Sequence, residues 1–231
     1  MSAKKVEGFP KEAVAFLAKL GKNNDKNWFL DHRDEFEEKL MEPAREFVTA
    51  VGDELKKVRP DIIADPKTDK SIFRLHRDVR FSKDKSPYKT NLGILFWEGE
   101  AKKMENPGFY MHFEPKTFFA GVGMHIFTKD QLKIYRDVVS QTGPNKELAD
   151  AAKKVTKKGY EIWGKHYKQV PRGYSDDIPN AEYLLHNGIM AGITVDNVKE
   201  LYEQDMKKYA VKLFKDMLPI HEWCLKYIVQ G

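Results

Sequence analysis

Apolar positions in the first sixty residues recur at helical spacing. Ala13, Val14, Leu17 and Leu20 form one stripe behind Pro10, which suits a first helical position, and Gly21 is expected to stop the turn. Asn23 and Asn24 make a polar junction. Asp25 is the natural N-cap of a second helix, with Trp28, Phe36 and Leu40 along one side of it. Pro43 interrupts or restarts that helix, and Phe47, Val51, Leu55 and Val58 then continue an apolar face up to Arg59-Pro60.

The period then changes. Residues 72–81, 91–98, 108–114 and 117–126 are short aromatic or β-branched runs divided by turn signals, which argues antiparallel hairpins rather than βαβ units. Gly121 and Gly123 mark a bulge or a close approach to the backbone. Helix returns at Thr128, whose capping box with Gln131 precedes an inward face of Leu132, Tyr135, Val138 and Val139; Gly143-Pro144 is expected to end it. A further helix reaches about Lys158 and stops at Gly159. Residues 160–175 read as strand then loop, Pro179 starts a short helix closed by Gly188, and Ile189–Val195 reads as one more strand. Asp196 then caps a long helix (Val198, Leu201, Asp205, Tyr209, Leu213) that Pro219 should break or kink. The pattern predicts an α+β fold: a central, mostly antiparallel sheet from residues of about 70–126 plus the late strands, packed by N- and C-terminal helices.

No repeat or long linker interrupts the 231 residues, so one globular domain over 1–231 is expected. With 41% apolar and 12% aromatic residues the chain has material for a core, and no apolar run approaches the roughly 20 residues of a membrane helix. The start, MSAKKVEGFPKEAV, carries no hydrophobic leader core, so a cytoplasmic location and no membrane association are expected. The single cysteine, Cys224, excludes an internal disulfide and a multi-cysteine metal site. It sits beside Trp223 and three residues after His221, where it is expected to pack rather than react.

Charge is uneven. The formal net charge is +5, and the window from Lys67 to Thr90 holds eight basic side chains against three acids; the remainder of the chain balances. Of eight arginines in the whole chain, three (Arg74, Arg77, Arg80) fall within seven residues. Arginine's planar fork grips carboxylate or phosphate bidentately, which lysine's point charge does not. Read as a strand, residues 72–81 place Arg74, His76, Asp78 and Arg80 on one face, and Phe73, Leu75, Val79 and Phe81 on the other. Arg77 projects from the apolar side, where it needs a carboxylate or several acceptors.

In that reading Arg74, Arg80, Lys85 and Lys89 bind an anion and Tyr88 donates a hydrogen bond. Asp78 and Asp84 hold the cations in place, and Arg77 is the buried strut. The expected partner is a small phosphorylated or carboxylated molecule. The rival readings are a purely structural Arg–Asp network in a non-catalytic interaction protein, and a nucleic-acid module. The balanced remainder disfavours nucleic acid. No catalytic assignment follows; His76 is the first general acid/base to test if the protein is an enzyme.

Asn23-Asn24 with Trp28-Phe29, RLHRDVRFSKDKSPYK at 74–89, Pro-Gly-Phe-Tyr at 107–110 and Val-Pro-Arg-Gly-Tyr at 170–174 resemble the bacterial and fungal family called domain of unknown function 2461. Arg74, Arg77, Asp78, Arg80, Phe81, Asp84, Lys85 and Tyr88 match its hallmark segment one by one. The resemblance implies a family without an assigned activity, and lends no catalytic residue.

Other chemistry is thinner. His76 with Asp78, His112 with Glu114, and His125 offer metal-type donors without an established spacing, so no metal and no cofactor is expected. Trp28, Trp97 and Trp163 read first as core. Phosphate-loop, dinucleotide, nucleophile-elbow and HExxH motifs do not occur.

Overall fold

A computed structural model describes residues 8–203 and 205–230. The start considered above falls, through residue 7, outside the described residues. Five strands form one antiparallel sheet in the order β1-β2-β3-β5-β4: β1 Leu92–Trp97, β2 Gly108–Phe113, β3 Phe118–Met124, β4 Glu161–Lys165 and β5 His186–Val195. The helices are α1 Lys11–Lys22, α2 Lys26–Asp31, α3 Arg33–Phe36, α4 Glu42–Lys56, α5 Lys129–Val139, α6 Thr142–Thr156, α7 Glu200–Glu203 and α8 Met206–Cys224. The fold is α+β, with helices flanking the sheet at both ends of the chain. Among the described residues no helix is long and apolar enough to cross a membrane.

The chain divides into two compact units, each drawn from three segments. The first takes the described residues up to Phe96, then Tyr110–Phe119 and Thr194–Lys212. Ala13, Leu17 and Leu20 of α1 and Phe47, Val51 and Leu55 of α4 are buried in its core as the stripes predicted; Phe16 and Val48 join them, and Val14 is only half-buried. Phe9 packs its ring against Phe47 and Phe113 at centroid distances of 5.3 and 4.7 Å. Asp25 caps α2 through the amides of Asn27 and Trp28. Pro43 stands at the start of α4, where its missing N–H costs nothing, and a π-turn over Glu37–Met41 leads into it. Val58, expected to face inward, lies beyond the helix end and is exposed.

The second unit takes Trp97–Phe109, Ala120–Ile193 and Leu213 onward. Phe109, Val122, Met124, Tyr135, Leu148, Ile189, Phe214 and Ile220 are buried there. Thr128 and Gln131 form the expected capping box. Gly143-Pro144 does not end that helix: both residues sit in the first turn of α6, where proline fits. Gly188 closes no helix either; a 3₁₀ turn over Ala181–Leu185 gives way to β5 at His186. Pro219 sits inside α8 without ending it. The Asp205 carboxylate accepts the Lys208 amide at 3.1 Å, so the residue expected mid-helix marks the start of α8 instead. Of the tryptophans read as core, Trp97 is buried, Trp28 is half-buried and Trp163 is exposed.

Gly123 shows why one β3 position admits no side chain. Its φ is +134°, and a Cβ there would stand 2.3 Å from the carbonyl oxygen of Ile189 on β5. That is backbone against backbone, so no rotamer change relieves it. Gly123→Ala should therefore lower stability by about 3 kcal/mol, combining conformational strain with the clash. Urea denaturation checks this; a change within error would show that β3 and β5 separate easily.

Candidate functional site

The basic segment lies wholly in the first unit, and the structure corrects its shape. Residues 72–81 are not a strand. Ile72 bridges Ile94, with Phe73 N donating to Gly93 O at 2.9 Å and Leu95 N to Ser71 O at 2.8 Å. Beyond that the chain turns back on itself. Arg77 N donates to Pro87 O at 2.8 Å, Lys89 N to Leu75 O at 2.7 Å, and His76 bridges Tyr88. Residues 75–77 and 87–89 are thus the arms of a hairpin whose tip runs from 78 to 86.

Local bonds explain why pairing stops. Pro87 has no amide to donate. The carboxylates of Asp78 and Asp84 capture the amides of Arg80 (3.2 Å) and Ser86 (2.9 Å), offering the backbone an alternative to the ladder. Lys85 Nζ takes the carbonyl of Val79 at 3.0 Å. The expected alternation of exposure survives without the strand: Leu75 is buried and Phe73, Arg77 and Val79 half-buried, while Arg74, His76, Asp78 and Arg80 are exposed. Phe81, expected on the apolar face, is 95% exposed at the tip.

Arg77 turns into the loop. Its side chain is 26% exposed, and its guanidinium donates to the Asp84 carboxylate, to Ser86 O at 3.2 Å and to Ser82 Oγ at 3.5 Å. It is a half-buried brace rather than the fully buried strut expected. The donors of Ser86 and the Arg77 guanidinium hold the Asp84 carboxyl well below the usual carboxylate range.

The other cations point outward. Arg80 forks onto Asp78, Nε to Oδ1 at 2.9 Å and Nη2 to Oδ2 at 2.7 Å, while its side chain remains 76% exposed. These bonds, with a lesser contribution from the charge of Arg74, lower the Asp78 pKa. Arg74 itself lies 3.9 Å from Asp69. Lys85 is exposed, and Lys89 sets its ammonium 5.7 Å from the centroid of Phe73. The structure therefore gives each arginine its own carboxylate: Arg74 has Asp69, Arg77 has Asp84 and Arg80 has Asp78.

The hairpin base is docked by residues whose role the sequence reading missed. The Asn24 carboxamide meets the backbone of Tyr88 twice, Nδ2 to O at 2.9 Å and Oδ1 from N at 3.0 Å, in the manner of a strand neighbour. Phe29 stacks on the Tyr88 ring at 4.1 Å, and His76 meets that ring edge-on at 5.6 Å. Burial raises the Tyr88 phenol pKa, keeping its hydroxyl a donor at neutral pH. The co-occurrence of Asn24 and Phe29 with the arginine segment was the available signal; it looked like a helix junction. His76 Nδ1 lies 3.1 Å from Arg77 O, and no hydrogen bond joins His76 to Asp78.

Elsewhere the candidates resolve as structure. Among the described residues no three His, Cys, Asp or Glu side chains gather where they could hold a metal. Cys224 is fully buried and its thiol pKa is pushed far up by desolvation, consistent with packing. His221 is also buried and pairs with Glu98 at 2.9 Å, while Phe109 stacks on its ring. Tyr174 of the Val-Pro-Arg-Gly-Tyr stretch donates to Asp137 of α5 at 2.8 Å. A cavity of about 500 Å³ in the second unit is lined by Lys146, Lys153, Asn180 and Tyr183, remote in sequence from the basic hairpin.

The model of the family described as Conserved hypothetical protein (DUF2461) matches residues 12–223, and the chain belongs to that family. No curated protein matches the sequence.

Two outcomes follow from the division between Arg77 and Arg80. Arg77→Ala should speed hydrogen exchange at the amides of residues 84–89 at least about ten-fold by removing a charge-assisted brace, whereas Arg80→Ala leaves exchange there unchanged. Equal effects would deny the division. Because the Asp84 pKa is depressed in the folded state, its contribution is complete above the ordinary carboxylate pKa near about 4 and is lost as pH falls through the folded value. Loop protection should be level from neutrality down to mildly acidic pH and collapse only in strong acid, as read by amide exchange or loop NMR shifts.

Proposed function

We propose that this member of the family binds a small phosphorylated or carboxylated molecule on the outward cations of the 75–89 hairpin. Arg74 and Arg80 supply the principal charges, Lys85 and Lys89 flank them, and the Tyr88 hydroxyl is the neutral donor. The observation that carries this reading is the split in the arginine cluster: Arg77 is turned inward and consumed in bracing, while Arg80, paired with Asp78, keeps a side chain that is 76% exposed. An exposed ion pair contributes little to stability, so an incoming anion replaces Asp78 on Arg80 at small cost. The bidentate seat of Asp78 on Arg80 supports this reading, because a ligand carboxylate or phosphate would take the same fork. The inward pair Arg77–Asp84 favours a structural role for those two residues alone. Were the protein an enzyme, His76, on the same hairpin arm, is the side chain to test as acid or base.

Melting temperatures with phosphate, citrate, sugar phosphates and nucleotides test the proposal. At least one anion at a hundred-fold excess over its Kd should stabilise by about 2.7 kcal/mol, and Arg80→Ala should abolish that response without altering the ligand-free melting temperature. No stabilisation by any of these anions, or a response indifferent to both Arg74→Ala and Arg80→Ala, would remove the reading.

A further inference from the structure

The hairpin tip presents an aromatic ring that the fold does not use. Phe81 is the most exposed large apolar side chain among the described residues, at 95% against 62% for Leu30. Its exposure is built in. Ser82 N donates to Val79 O at 3.3 Å, closing a turn in which Arg80 and Phe81 occupy the two corner positions. Lys85 Nζ takes the same Val79 carbonyl at 3.0 Å, and the Arg77–Asp84 pair braces the loop behind it. Both corner side chains are therefore projected together, and the Arg80 guanidinium lies 5.7 Å from the Phe81 ring centroid.

We propose that this tip recognises a nucleotide unit: Phe81 stacks on the base while Arg80, with Lys83 and Lys85 beside it, takes the adjoining phosphate. The inference rests on the anion-binding reading above and narrows its ligand to a phosphate joined to a planar aromatic group. Aromatic stacking and cation capture of the backbone are how proteins hold single-stranded nucleic acid, and each works at an exposed surface without a deep cavity. A lipid surface fits less well. The tip offers a single apolar ring between Arg80 and Ser82-Lys83-Asp84-Lys85, too little apolar surface to anchor in a bilayer, where stable attachment takes larger apolar area. The same chemistry has two sources, a free mononucleotide and a residue within a single strand. The balanced charge outside residues 67–90 disfavours a broad nucleic-acid surface but not a short strand whose successive phosphates reach the several cations of this one hairpin.

The test uses the full chain and three probes: inorganic phosphate, AMP, and a fluorescein-labelled single strand of about twelve nucleotides, a length within the usual site sizes, together with its duplex. The expected result is anisotropy-detected binding of the single strand in preference to the duplex. Phe81→Ala should weaken it about ten-fold, a loss typical of one stacked base, and Phe81→Trp should restore it with quenching of the new indole on binding. Arg80→Ala should flatten the salt dependence. Since Phe81 packs against almost nothing, its variants keep the parent melting temperature. Phe81-dependent stabilisation by AMP without strand binding would support the proposal and assign the free nucleotide as the source. Phosphate and AMP acting equally, with Phe81→Ala silent, would overturn it while leaving the anion reading intact. Phe81-dependent sedimentation with phosphatidylserine vesicles but no nucleotide response would overturn it in favour of a membrane. Absence of any anion effect would remove both.

Discussion

A guanidinium turned into a loop must find acceptors there, and the loop must then take the shape those acceptors dictate. Arg77 meets this demand with one carboxylate, one backbone carbonyl and one hydroxyl, all supplied between residues 82 and 86. That requirement folds the segment back into a hairpin, sets Asp78 free to orient Arg80, and leaves the tip residues facing water. The three arginines are chemically identical, yet Arg77 is half-buried against Asp84 while Arg74 and Arg80 stay exposed beside Asp69 and Asp78. What separates them is which carboxylate each can reach.

The brace works only because the hairpin base is held elsewhere. Asn24 pairs with the backbone of Tyr88 across 64 positions of sequence, and Phe29 covers the Tyr88 ring. Each of the two amide bonds is worth on the order of 1 kcal/mol net. Their larger effect is geometric, since they fix where the arms enter. Asn24 and the arginine segment, far apart in the sequence, thus belong to one assembly.

Buried polar groups in the second unit obey the same rule without creating an outward site. His221 is fully buried yet faces Glu98, and Tyr135 donates its hydroxyl to Tyr183 O at 2.9 Å inside the core. At His221 Nε2 and the Tyr135 hydroxyl the partner lies inside the protein, as burial demands. Arg74, Arg80 and Lys85 of the hairpin differ in being exposed.

The sequence by itself determined the class of fold, the N-caps at Asp25 and Thr128, and three of the early strands to within two residues, because hydrophobic period and capping chemistry act over a few neighbours. It also located the basic segment and identified Arg77 as the odd arginine. It misplaced Phe81, and with it the outer half of the expected strand, because period-2 alternation does not register carboxylates that capture nearby amides. Gly143-Pro144 and Gly188 misled for a related reason: breaker residues mark a boundary without saying on which side the element lies. Only the tertiary structure decided that Asn24 clasps Tyr88 and that Arg77, already read from the sequence as the inward arginine, finds its acceptors on Asp84, Ser86 and Ser82. Those outcomes depend on contacts between distant segments, whose partners exist only once the chain has closed on itself.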